Sequence, residues 1–394
     1  MSKNVLNNRN IYVIFSITLI AVMGVASLTP ALPKIAKELN LDNHQIGLLI
    51  SAFTFPGIFL TPVTGVIADR FGRKKVLIPS LFIFAIAGFS IFFIRHFEYI
   101  IAFRFLQGIG AASLGSLNTT LIGDYFKGKD RPEAMGLNAS VLSLSTASYP
   151  LIGGILASIA WYYPFILPLL AIPVGFFVLF GIQEPGIEKQ INYRQYFSSM
   201  KTTILRKEVI SIFILGILTF IILYGAFLTY LPFVLSDKFN FDSRKIGILL
   251  SLSSVMTAIV ATQVGKLTNK YGSMKILKLA FIFYFFVTIS IPFINDIFLF
   301  IFPIFLFGAA QAFNIPSLQT LLANLAPDNQ RGIFMSLNGM NLRLGQTLGP
   351  LIIGLGFSIK GIEGAYVLAS VIAIFGFAIL LNMKNISKNK INQN

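Results

Sequence analysis

Cysteine is absent from the chain, which excludes disulfides, thiolate metal sites and cysteine nucleophiles. Histidine is nearly absent: His44 and His96 are the only two, each in a short polar loop beside charged residues. Charge is scarce as well, at 12% of residues against 55% hydrophobic. Only fifteen residues are acidic, and none of them falls near the middle of a long apolar run. The sequence shows no metal cluster, catalytic triad or phosphate-binding loop, so neither an enzyme nor a bound cofactor or metal is expected.

What fills the 394 residues instead is apolar surface, with forty phenylalanines and a mean hydropathy of +0.78. A water-soluble protein of this size could not cover so much of it, so the solvent is lipid. A spanning helix needs about 20 mostly apolar residues. Twelve such runs are present, at 11–30, 44–66, 75–94, 98–122, 133–158, 161–182, 209–233, 244–266, 275–293, 296–323, 332–358 and 363–383. The first is long enough to be kept as a span, so no cleaved leader is expected.

Lysine and arginine set the orientation. The amino terminus, the loops near 69–75, 124–133, 183–208, 266–275 and 326–331, and the tail after Met383 hold 22 of the 31 basic residues, with Lys278 counted among them. The opposite loops hold Lys34, Lys37, Arg95, Lys238, Arg244, Lys245 and Lys360, balanced by an equal number of acids. The first set is therefore expected on the cytoplasmic side of the cell (inner) membrane, with both termini there. The net charge of +16 is thus a topology signal, and nucleic acid is not an expected partner.

Sliding the chain by 200 residues pairs its halves. Asn40, Asp42, Gly47, Gly72, Gly108, Arg131, Asn138, Pro150 and Gly154 meet Asn240, Asp242, Gly247, Gly272, Gly308, Arg331, Asn338, Pro350 and Gly354. Matches at equivalent places in six-helix blocks make the repeat parallel. The fold expected is all-α and integral to the membrane, in two pseudo-symmetric six-helix bundles. The expected domains are 1–182, a cytoplasmic linker at 183–208, and 209–394, which carries a short tail.

Four motifs sharpen this. The loop after the second run reads Gly65-Val-Ile-Ala-Asp69-Arg70-Phe-Gly72-Arg73-Lys74-Lys75. An acid amid four cations is suited to holding helix ends together in one conformation, and Asp69 and Asp124 are expected to form a charge cluster with Arg70 and Arg131. The loop closely resembles the signature of the major facilitator superfamily, with Ile67 where leucine is usual; the second half keeps a decayed copy with Asn269 at the acidic position. Arg104-Phe-Leu-Gln107-Gly108-Ile-Gly110-Ala-Ala112 resembles the superfamily signature of proton-coupled members, exporters above all. Ala147-Ser-Tyr149-Pro150-Leu-Ile-Gly153-Gly154 is similar to the segment associated with drug–proton antiport, with Tyr149 for its central glycine. A fuller form, Gly345-Gln-Thr-Leu-Gly349-Pro350, stands at the equivalent place in the second half. Thr29-Pro30-Ala-Leu-Pro33 and Thr229-Tyr-Leu-Pro232 resemble the proline-rich span ends of twelve-helix exporters.

The resemblance implies a cavity lined by spans 1, 4, 7 and 10, with help from 2, 5, 8 and 11. Candidate cavity residues are Arg104, Asn118, Asn138, Tyr224, Gln311, Asn314, Asn338, Asn341, Arg343 and Gln346. Each polar side chain within a span can equally serve as interhelical glue, worth about 1 kcal/mol. Arg104 and Arg343 are the only deep charges, and an intramembrane cation should face a polar cavity or partner. The resemblance also implies alternating access driven by the proton-motive force, with protons exchanged for a small amphiphilic drug or metabolite. No carboxylate in a span supports that coupling directly. An uptake carrier for an organic anion, bound by Arg343 or Arg104, is the alternative, followed by a non-transporting membrane sensor. The chain is expected to work as a monomer.

Overall fold

A computed structural model describes residues 3–182, 206–325 and 331–383. Among them, eleven helical stretches are long and apolar enough to cross a membrane. These are α1 (Arg9–Glu38), α2 (Gln45–Phe71), α3 (Arg73–Phe93), α4 (Phe97–Tyr125), α5 (Asp130–Ile159), α6 (Tyr163–Gly181), α7 (Lys207–Phe239), α8 (Ser243–Tyr271), α9 (Ser273–Phe293), α10 (Ile297–Leu325) and a last stretch, Leu337–Asn382. That last one belongs to a helix starting at Arg331 and breaks at Lys360 (φ −141°) and Gly361 (φ 56°, ψ −141°). It therefore holds two spans, α11 (331–359) and α12 (362–382), and the total is twelve. Helices are what lipid demands, because every backbone N–H and C=O must find its partner within the segment.

Local chemistry sets the helix ends, and it repeats. The Asp42 carboxylate accepts from the Gln45 N–H (2.8 Å) while the Gln45 side chain accepts from the Asp42 N–H (3.0 Å). This reciprocal cap starts α2. Asp242 accepts from the Lys245 N–H (2.9 Å) at the start of α8. Just before these caps, Asn40 (φ 51°) and Asn240 (φ 52°) take the left-handed conformation in which asparagine is well tolerated. Gly72 (φ 104°) and Gly272 (φ 85°) make the turns into α3 and α9. Both of those helices tighten into a 3₁₀ turn at their far end, Ile91–Phe93 and Ile291–Phe293. The offset of 200 residues thus holds in backbone geometry as well as in sequence.

The described residues form two compact units, one of 3–182 with 241–251, the other of 206–240 with 252–383. Apart from residues 206–208, the expected linker lies outside the described residues. In the first unit α4 packs against α2 so closely that a Cβ at Gly108 would strike the Phe53 carbonyl. In the second, Gly308 of α10 meets the Ser253 carbonyl of α8 in the same way. The Thr61 hydroxyl donates across α2–α4 to the Ala112 carbonyl (3.1 Å), and the Thr257 hydroxyl across α8–α10 to the Gly308 carbonyl (2.9 Å).

Candidate functional site

In the first unit the guanidinium of Arg104 is sealed inside the helices, at 1% exposure. It donates to the backbone carbonyls of Gly24 on α1 (2.8 Å) and Leu49 on α2 (3.0 Å), and to the Gln107 side chain one turn along α4 (2.9 Å). Its face lies 4.4 Å from the centre of the Phe53 ring. Nη2 is buried and has no partner among the described residues. A lone cation in a span is costly, and here its charge is spread over peptide dipoles and an aromatic face rather than met by a carboxylate. Gln107 and Phe53 were not anticipated as members of this cluster. Gln107 was readable, one helical turn from Arg104; the two carbonyls carry no sequence signal.

Further along α4, Asn118 donates to the Ile14 carbonyl (3.1 Å) and to the Thr18 hydroxyl, which in turn donates to the Asn138 side chain. Two of the candidate residues are thus joined through Thr18 of α1, a residue that sequence reasoning passed over. The Oδ1 of Asn118 is buried without a partner among the described residues.

At the basic end, one cation joins the two acids. Arg73 bonds to Asp69 and to Asp124 (3.1 Å), tying α2, α3 and α4 together. Arg70 lies over the Phe71 ring instead (5.2 Å), and Arg131 lies against Gly123 at the end of α4. The expectation that Arg70 and Arg131 would pair with these acids is corrected: Arg73 begins the helix after the Gly72 turn and so points back at both. Gly65 has no neighbour at its Cβ position. On α5, Gly153 meets Ser27 of α1, and Gly154 meets Ser243 and Gly247 within the same unit, while Pro150 is buried.

In the second unit Asn341 of α11 donates to the Phe213 carbonyl of α7 (2.9 Å). Gly345 and Gly349 let α11 lie against Ile217, Phe220, Ile221 and Gly225, and the Tyr230 hydroxyl donates to the Pro350 carbonyl (3.4 Å). Opposite them, α7 winds as a π-helix over Ile222–Tyr230, a form frequent at functional sites. It carries Tyr224, whose carbonyl accepts from Thr229 five residues on (2.6 Å). Arg343 of α11 donates to Gln346 (3.1 Å). On α10, Asn314 accepts from the Thr219 hydroxyl (3.1 Å). Gln311 and Ser317, on the same face, have buried polar atoms with no partner among the described residues. Such atoms ask for water or a ligand. Asn338 is half-buried and makes no hydrogen bond among the described residues. No group of three His, Asp or Glu among the described residues could hold a metal ion.

Comparison with known proteins agrees with this architecture. The sequence profile described as "Major Facilitator Superfamily" matches residues 14–302 and 234–392. The "Bacillibactin exporter" of Bacillus subtilis (strain 168) is 29% identical over 363 residues, covering 87% of this chain and 88% of that protein. "Multidrug resistance protein 2" of the same organism is 27% identical and covers 98% of each chain. Among solved structures, a bacterial homolog of the human lysosomal transporter Spinster, inward-facing and unoccupied, superimposes with a TM-score of 0.79 over 96% of this chain and 97% of that one, at 16% identity.

Proposed function

The chain belongs to the Major Facilitator Superfamily, a family of membrane transporters rather than enzymes, and from that premise we propose that it is an exporter of small amphiphilic compounds. It works by alternating access and exchanges its substrate for protons. The halves 1–182 and 209–394 rock about a shared site, with 183–208 as their tether, and one copy suffices. The basic end, with both chain termini, faces the cytoplasm of the cell (inner) membrane.

The observation that carries this reading is the Arg104 cluster. One side chain holds the backbones of α1 and α2 to α4 through Gly24 and Leu49, so the three helices cannot shift without breaking it. A buried cation held only by neutral acceptors is free to exchange them when a proton or a substrate arrives, which makes it a natural coupling element. The asymmetry of basic loops supports the orientation, and the bacillibactin exporter and the multidrug resistance protein, each similar over most of its length, support the direction. Arg73, bonded to Asp69 and Asp124, serves as the latch at the cytoplasmic end. Asn118, Asn138, Gln311, Asn314 and Asn338 offer polar contacts along the path, and the glycine–proline segments at Pro150 and Pro350 let the spans carrying them pack and bend.

The test is dye extrusion from everted vesicles energised by a proton gradient. Wild-type activity should vanish with a protonophore. Arg104→Gln should lower it by at least about tenfold, the equivalent of one lost charge-assisted hydrogen bond, at unchanged membrane level. Full extrusion by that variant, or indifference to the protonophore, would overturn the reading.

A further inference from the structure

The two intramembrane arginines are in opposite situations. Arg104 is sealed and bonded to three acceptors. Arg343 is half-buried and bonded to a single side-chain acceptor, Gln346. Its remaining N–H groups have no partner among the described residues, and none is among the buried orphaned atoms, so they open onto accessible space. Nor does any span of the second half hold a carboxylate that could neutralise it. The runs 209–236, 243–295, 297–325 and 331–362 contain no Asp or Glu. No acidic side chain among the described residues forms an ion pair with Arg343.

Its surroundings are rich in donors. Gln346 turns its oxygen to the guanidinium (3.1 Å), which leaves the amide N–H groups of the same side chain to donate elsewhere. Tyr224 is on the π-wound stretch of α7, beside Phe220, Ile221 and Gly225, against which Gly345 and Gly349 pack α11. Asn341, two residues before Arg343, is already committed to the Phe213 carbonyl. Beside these groups the Phe220 and Tyr224 rings lie 5.9 Å apart and tilted by 33°, an apolar face next to the charge.

We propose that Arg343, with Gln346 and Tyr224, is the anchor for an anionic group on the transported molecule, so that the substrate class is an amphiphilic organic acid. The guanidinium fork suits a carboxylate or similar oxyanion held through two parallel N–H bonds, and the aromatic face takes the apolar body. An open cation with no counter-charge in the membrane is stable when its partner comes and goes with the cargo. This assignment rests on the transporter reading and is independent of the direction of transport.

The test uses the full chain in nanodiscs and a matched pair of probes, pyrenebutyrate and its uncharged methyl ester, with empty nanodiscs subtracted. Wild-type protein should bind the carboxylate at least about tenfold more tightly than the ester, as expected for a charged hydrogen-bond pair. Arg343→Gln should abolish that preference while keeping the ester affinity, and Arg343→Lys, which keeps charge but loses the fork, should retain part of it. Equal wild-type affinity for the two probes, or a preference that survives in Arg343→Gln, overturns the assignment. Uptake rather than extrusion of the carboxylate by energised cells would sink the export reading and leave the anchor intact.

Discussion

Single charges within the membrane matter here through the company they keep. Arg104 could be picked out from the sequence because it interrupts an apolar run, yet its partners could not, since two of the three are backbone carbonyls that any residue would supply. The same limit applies at the basic end. Four cations surround Asp69 in sequence, and only the direction of the chain after Gly72 selects Arg73 as the one that bridges to Asp124. Arg73→Ala should therefore cut transport severalfold. Its effect on stability should stay near 1 kcal/mol, because Asp69 and Asp124 keep partial access to water and screened pairs contribute little. Arg70→Ala should change transport less. Initial extrusion rates and thermal unfolding of the three proteins side by side would check this; equal loss in both variants would remove the bridging role from Arg73.

At the scale of helices, the positions of the spans were legible because hydropathy and lipid thickness leave few alternatives. The run at 98–122 became Phe97–Tyr125 and the run at 244–266 became Ser243–Tyr271. Asn40 and Asp42 stood out only as repeat mates of Asn240 and Asp242, and their work at the helix starts emerged from the backbone and its bonds. The π-wound Ile222–Tyr230 was not legible, since no proline lies inside it and the bond from the Thr229 hydroxyl to the Tyr224 carbonyl follows from how α7 packs against α11. Close packing also sorts the glycines. Gly108→Ala should push α4 off α2, where the Phe53 carbonyl stands in the way, and destabilise by about 1–3 kcal/mol. Gly65→Ala should keep stability or raise it by up to about 1 kcal/mol, because nothing lies within 4 Å of the added methyl and alanine is the better helix former. Melting temperatures in detergent would separate the two; similar melting of both variants would count against backbone contact as the reason for Gly108.

For the whole molecule, the duplication is the feature that sequence displayed most openly, and the backbone repeats it down to matching left-handed asparagines and matching 3₁₀ turns. Substrate identity was far less legible, because a transport path is made from ordinary Asn, Gln and Tyr residues whose access to cargo depends on packing. The absence of cysteine makes the proposed rocking of the two halves directly measurable, since spin labels can be placed without background. Phe93 and Phe293 are repeat mates, 67% and 72% exposed, at the ends of α3 and α9. The Phe93→Cys, Phe293→Cys double variant, labelled and read by pulsed dipolar spectroscopy, should show two distance populations whose balance shifts when pH falls or pyrenebutyrate is added. One distribution, unmoved by acid or ligand in a variant that still transports, would contradict alternating access by these two halves.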